Sequence, residues 1–172
     1  MVNKYLNISI FGLGYIGLPT AALFAKNGLN VIGVELKKDK VAAVNAGSSP
    51  ILEPGLGELV HEVVKSGNLI ATDEGVTACK SSNVMIIIVP TPKDGANNSE
   101  LSAVKSACET ISKGLKNGDL VIVESTVPPK TCEDFVIPLL EKSGLKAGSD
   151  FGVAYTPERA LPNNTIYEMT HN

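Results

Sequence analysis

At 172 residues, with 44% hydrophobic and 19% charged side chains, the chain carries enough apolar material for one domain core and is too short for two typical domains. A formal charge of −3 with scattered lysines argues against a nucleic-acid or anionic-membrane surface, so small-molecule chemistry is the expectation. Three widely spaced cysteines (Cys79, Cys108, Cys132) and two histidines (His61, His171) form no C-x-x-C or His/Cys cluster, which predicts no metal and a reduced, cytoplasmic setting.

In chain order, the apolar run Leu6 to Phe11 reads as a strand that ends at Gly12-Leu13-Gly14-Tyr15-Ile16-Gly17. Small and apolar residues at Leu18, Ala21, Ala22 and Ala25 then recur at helical spacing. Lys4 and this run resemble the start of a secretory signal, but Gly12, Gly14, Gly17 and Pro19 interrupt it and no small-residue cleavage site follows. No other segment has the apolar length of a membrane span. In a strand–turn–helix context, Gly12 permits the tight turn, Gly14 lets backbone approach a pyrophosphate, and Gly17 lets the helix lie close to the sheet. The pyrophosphate is expected at the helix N-terminus, on free N–H groups and the positive end of the dipole. The next strand, Val31 to Glu35, ends in a carboxylate placed to accept hydrogen bonds from ribose hydroxyls, which favours NAD over a 2′-phosphorylated cofactor.

Lys38 to Ala46 reads as a short helix stopped by Gly47. Lys40 sits one turn in, either reaching back to the adenosine end or simply solvated. A proline-punctuated loop, Ser48 to Gly55, precedes a helix from Leu56 to Lys65 with its apolar stripe at Leu56, Leu59, Val60, Val63 and Val64. Asn68 to Ala71 is a short strand, and Asp73 is the expected N-cap of a helix from Glu74 to Lys80. Val84 to Val89 is apolar throughout, as expected of a parallel strand buried on both faces, and ends in Pro90-Thr91-Pro92. A polar loop, Lys93 to Ser99, leads to a helix from Leu101 to Lys116. Asp119 to Val123 is the fifth strand, ending in Glu124-Ser125-Thr126, followed by a helix from about Lys130 to Lys142. Asp150 to Tyr155 is the sixth strand, closing in Thr156-Pro157-Glu158-Arg159-Ala160-Leu161-Pro162, and the tail from Asn163 has weak periodicity. The alternation predicts an α/β, Rossmann-type, doubly wound and mainly parallel six-stranded sheet. Three strands then deliver Pro-Thr-Pro, Ser-Thr-Val and Pro-Glu-Arg to the edge where the Gly-rich turn opens. Thr126 has two readings from position alone, a site hydroxyl or the cap of a turn.

Five ordered motifs resemble those of the UDP-sugar 6-dehydrogenases: Gly12 to Pro19, Ile51-Leu52-Glu53-Pro54-Gly55-Leu56, Val89-Pro90-Thr91-Pro92, Ser125-Thr126-Val127 and Pro157-Glu158-Arg159. The run Pro157 to Pro162, with Ile166-Tyr167-Glu168 and His171-Asn172, is similar to the family's N-acetylmannosamine branch, where the glucose branch more typically has Phe after the Glu. The resemblance implies oxidation of a UDP-sugar at C6 to the uronate with two NAD molecules, through an aldehyde captured by a cysteine. It implies NAD contacts from Gly12, Gly14, Tyr15, Ile16, Gly17, Glu35, Lys40, Pro90, Thr91 and Thr126. Thr126 and Glu158 would help place water and stabilise charge near the reacting carbon, and Glu158, Arg159 and Ala160 would meet the nucleotide sugar. Two departures stand out: Asn163 where that branch usually has glycine, and Glu35 in place of the commoner Asp.

The family's nucleophilic cysteine lies in a Gly-Phe-Gly-Gly-x-Cys segment that is not in these residues, and Cys79, Cys108 and Cys132 read as buried apolar thiols. The expectation is therefore an NAD-binding domain spanning residues 1–172, without the family's central helix and UDP-binding domain, inactive alone, from a parent homodimer. The competing readings are a UDP-glucose dehydrogenase, a hydroxyacid dehydrogenase domain, which also begins with a Gly-rich turn, and a module that senses NAD without chemistry.

Overall fold

The computed structural model describes residues 6–93, 95, 99–158, 160 and 164–171. Strand β1 (Asn7–Phe11) turns Ile8 and Ile10 to one side and Phe11 to the other, and that alternation builds two core layers. Together with β2 (Asn30–Val34), β3 (Leu69–Thr72), β4 (Val84–Ile87), β5 (Leu120–Val123) and β6 (Gly152–Tyr155), it forms one sheet in the order β3-β2-β1-β4-β5-β6. Every neighbouring pair is parallel. The doubly wound sheet matches the expectation, and its order reverses between β1 and β4, where ligands of such sheets bind.

On one face lie α1 (Gly17–Lys26), α2 (Lys38–Asn45) and α3 (Leu56–Lys65), packed through Leu18, Ala21, Ala22, Val44, Leu56 and Val60. On the other lie α4 (Gly75–Lys80), α5 (Ser102–Ser112) and α6 (Ile137–Leu140), packed through Cys79, Val104, Cys108, Ile111 and Leu140. Alanines along α1 bring its backbone close to the sheet. Helix α2 stops as expected: Gly47, at φ 74°, donates to the Val44 carbonyl at 2.8 Å while Ser48 donates to that of Ala43 at 2.9 Å.

Four expectations need correction. Asp73 does not cap α4; the Glu74 N–H is bound instead by the Thr72 hydroxyl at 3.0 Å, and Asp73 stands 3.8 Å from Lys38 Nζ. Helix α5 ends at Ser112 rather than Lys116: the Lys113 and Gly114 N–H groups bond only three residues back, to Thr110 at 3.3 Å and Ile111 at 2.9 Å, and the Lys116 N–H goes to Asp119 Oδ2 at 2.8 Å. The helix expected from Lys130 starts at Cys132, with Lys130 itself at φ 66°, and opens as a π-helical turn (Cys132–Val136) before α6. Pro138 accounts for the widening: it has no N–H to give the preceding turn and its ring would strike a carbonyl in a regular α-helix. Last, the aperiodic tail contains α7 (Thr165–His171), where Tyr167 and His171 stack with centroids 4.2 Å apart.

Candidate functional site

The Gly-rich turn is shaped by two very close approaches. Gly12, at φ 100°, donates to the Val34 carbonyl at 2.8 Å, and a Cβ on it would sit 2.2 Å from the Ile88 carbonyl oxygen. A Cβ on Gly17 would sit 1.9 Å from the Gly12 carbonyl oxygen. Both glycines are therefore demanded by the fold itself. Gly14 differs, because a Cβ there would meet nothing within 4 Å. Its bare backbone faces a cleft of about 470 Å³, not a packed neighbour. No side chain caps α1 and no acidic residue stands in its first turn, so the positive end of that helix is available to an anion.

The same cleft reaches Glu35, just past β2. Its Oε1 accepts the Lys37 N–H at 3.0 Å, and Oε2 lies 3.8 Å from Lys40 Nζ on α2. The Glu35 side chain is only 13% exposed, so the carboxylate is aimed before any ligand arrives. Lys40 is thus partly buried against Glu35 rather than free in solvent, and both line the cleft beside Gly12, Gly14, Tyr15, Ile16, Gly17 and Pro90. These residues fit a dinucleotide: a bare turn for the diphosphate, with an oriented acid for a ribose at a separate end.

Sequence reasoning missed the opposite wall. Ala103, Ser106, Ala107 and Thr110 of α5 line the cleft at i, i+3, i+4 and i+7, and Leu36, Lys37 and Asp73 line it as well. The available signal was a stripe of small residues at helical spacing, which leaves room where a larger stripe would fill the crevice.

Thr91 and Thr126 are brought together, but neither is among the residues lining that cleft. The Thr91 hydroxyl donates to the Thr126 carbonyl at 2.7 Å, and the Ser125 hydroxyl takes the Val89 N–H at 2.8 Å, so the loops after β4 and β5 are tied together. Beyond β6, Glu158 Oε1 accepts the Ala160 N–H at 2.6 Å. Arg159 lies outside the described residues. Glu124, absent from the sequence-based site, is half-buried at the end of β5; burial first, and the Glu158 carboxylate second, push its carboxyl up to about 7.

A carboxyl whose folded value lies above its ordinary 4.5 binds more protons folded than unfolded between those two values. Stability is accordingly expected to fall by about 2 kcal/mol, after allowance for partial solvent screening, as pH rises through that window. Urea unfolding at pH 4.5 and 7.5 checks this, and Glu124→Gln is expected to flatten the slope; an equal slope in the variant assigns the titration elsewhere.

The thiols are poor nucleophiles. Burial pushes Cys79 and Cys108 up to about 12, and Cys132, only half-buried where full burial was expected, is raised by burial and then by Glu133. Among the described residues no group of three or more His, Cys, Asp or Glu is placed to hold a metal, and no helix is long and apolar enough to cross a membrane.

Residues 6–172 match the family described as UDP-glucose/GDP-mannose dehydrogenase family, NAD binding domain. The chain is 40% identical over 167 residues to the UDP-N-acetyl-D-mannosamine dehydrogenase of Pyrococcus horikoshii, covering 97% of the chain and 40% of that protein. It is 42% identical over 179 residues to the Campylobacter jejuni enzyme of the same name, covering 99% of the chain and 43% of the relative. Its fold superposes on a ternary-complex crystal structure of GDP-mannose dehydrogenase from Pseudomonas aeruginosa with a TM-score of 0.92 at 38% identity, over 94% of this chain and 38% of that one. The chain spans about two fifths of the length of these relatives.

Proposed function

This chain belongs to the UDP-glucose/GDP-mannose dehydrogenase family, as its NAD-binding domain, and from that premise we propose that it is the cofactor domain of a UDP-N-acetylmannosamine 6-dehydrogenase. The observation that carries the site assignment is Gly14: its missing side chain answers to no protein neighbour, only to the cleft. The Gly12–Gly17 turn, with the backbone of Tyr15 and Ile16, would hold the diphosphate of NAD against the start of α1. Glu35 would accept both adenosine ribose hydroxyls, with Lys40 holding its carboxylate in place. Pro90 and Thr91 would border the nicotinamide half, Thr91 by shaping the loop, since its hydroxyl is engaged with Thr126.

NAD, when bound, supplies the hydride acceptor. Thr126 and Glu158 would place water and stabilise charge at the sugar carbon, while Glu158, Arg159 and Ala160 would form this domain's share of the sugar site. With the three thiols raised, covalent capture falls to a cysteine outside residues 1–172, in a central and UDP-binding region that this reading adds to the domain. The family resemblance supports a homodimeric parent, and the free thiols support a cytoplasmic one.

The purified chain is expected to bind NAD in a calorimetric titration and to form no NADH with UDP-N-acetylmannosamine, whereas the whole polypeptide oxidises that sugar. Failure to bind NAD would overturn the reading, and turnover by the chain alone would place the nucleophile within it. The likeness to the Pseudomonas aeruginosa structure favours a second substrate, GDP-mannose, and relative kcat/KM for the two sugars decides between them.

A further inference from the structure

Glu53 is a carboxylate in a surface loop that nevertheless is only 8% exposed. The loop before α3 is wound so that Ile51 is buried, Leu52 is thrown out at 89% exposure, and Glu53 turns back in. Ser49 fixes the first part, its hydroxyl donating to the Ile51 carbonyl at 2.8 Å and accepting the Ile51 N–H at 3.1 Å. The Glu53 carbonyl accepts the Leu56 N–H at 3.2 Å, and Gly55, at φ 75°, lets the chain enter α3 directly behind it. The side chain does something unrelated to its own helix. Its Oε1 accepts the backbone N–H of Thr165 at 2.7 Å, across 112 residues of sequence.

Thr165 is the first residue of α7 and is fully buried. Two contacts hold the helix beyond it: Ile166 packs into the core shared by α1 and α3, and the Thr20 hydroxyl on α1 meets Met169 Sδ at 3.9 Å. Glu158 and Ala160 therefore lie in the chain between two fixed points, the end of β6 at Tyr155 and the anchored Thr165. The bond at that downstream end is charge-assisted and buried, the kind that holds a geometry most firmly.

We propose that Glu53 is a positioning residue for the sugar-facing loop, acting through the Thr165 amide to set the downstream end of the segment that bears Glu158 and Ala160. The proposal rests on the reading of that segment as part of the sugar site. Among the described residues that line the NAD cleft, none lies in the loop from Ser48 to Gly55 or between β6 and α7. Loss of Glu53 therefore separates the two ligands: the sugar should suffer and the cofactor should not.

In the whole polypeptide assayed with NAD and UDP-N-acetylmannosamine, Glu53→Ala is expected to raise the sugar KM about tenfold or more while the NAD KM stays within about twofold. Glu53→Gln, which keeps an oxygen acceptor facing the amide, is expected to restore most of the sugar KM. Equal losses for both ligands, or an unmoved sugar KM, would overturn the proposal. If Glu53→Ala does not fold, Thr165→Pro removes the same bond from the donor side at a helix position that accepts proline, and the same split is expected. A parent enzyme that prefers GDP-mannose corrects the substrate, and the variants are then compared with that sugar. Independently of any turnover, amide exchange in the 172-residue chain is expected to quicken at 165–168 in Glu53→Ala and to stay unchanged in α1. Unaltered exchange at 165–168 would remove the anchor itself.

Discussion

Gly14→Val is expected to abolish measurable NAD binding in a domain that still folds, whereas Gly12→Ala and Gly17→Ala are expected to cost the fold. The three positions belong to one turn, and what separates them is what a side chain would meet. At Gly17 a Cβ would lie 1.9 Å from a backbone carbonyl oxygen, and at Gly12 2.2 Å from another, distances that no rotamer change relieves. Moving β1 away from α1 or β4 to make room should cost about 3 kcal/mol or more at either site. At Gly14 a Cβ would meet nothing within 4 Å and φ lies outside the left-handed region, so the first carbon of a side chain adds neither a contact nor backbone strain. The valine methyl groups would instead occupy the space over the turn, where a diphosphate needs direct contact with backbone N–H groups. Losing two such charge-assisted bonds is worth about 3 kcal/mol or more, which is on the order of a hundredfold or greater in Kd. Thermal melts and calorimetry on the three variants read both quantities. A folded Gly14→Val domain with normal affinity would mean that the turn does not cradle phosphate.

Features whose causes are local were legible in the sequence. The first strand, turn and helix could be read because each glycine, the alanines of α1 and the acid after β2 lie within one short stretch. Helix α3 was located to the residue, since Gly55 in a left-handed conformation marks its start and Leu56, Leu59, Val60 and Val63 repeat with the helical period. Helix α7 could not be read, because its seven residues are held at the N-terminus by Glu53 from the far side of the sequence. The cleft was half legible for a related reason. Glycines and an acid announce chemistry, but Ala103 and Ala107 contribute only by being small, and that matters only once α5 is known to face the turn. Thr91 shows the reverse limit: position placed its hydroxyl at the crevice, and the fold engages it with the Thr126 carbonyl.

The second large effect concerns cofactor choice. Glu35→Ala is expected to weaken NAD binding about tenfold, the worth of one hydrogen-bonded carboxylate, and to raise NADP affinity at the same time. On the proposed site a 2′-phosphate would be disfavoured twice over: it would meet the Glu35 carboxylate, and Lys40, a cation that could neutralise it, is already 3.8 Å from that carboxylate. Removing Glu35 reverses both terms, since the repulsion disappears and Lys40 becomes available at a cleft end that Lys37 also lines. The NAD-to-NADP preference should therefore fall by about a hundredfold, more than the loss of NAD affinity alone can supply. Glu35→Gln separates the contributions, keeping an oxygen acceptor for a ribose hydroxyl while deleting the charge, so NAD should bind nearly as in the parent and discrimination should still relax. Raising salt should weaken NADP binding to Glu35→Ala more than NAD binding, because the gained interaction is between full charges near the surface. Lys40→Ala in the Glu35→Ala background should then return NADP to its parental weakness. If both preference and affinity survive Glu35→Ala, the ribose lies elsewhere in the cleft, and the ion pair with Lys40 serves only to fix α2 against β2.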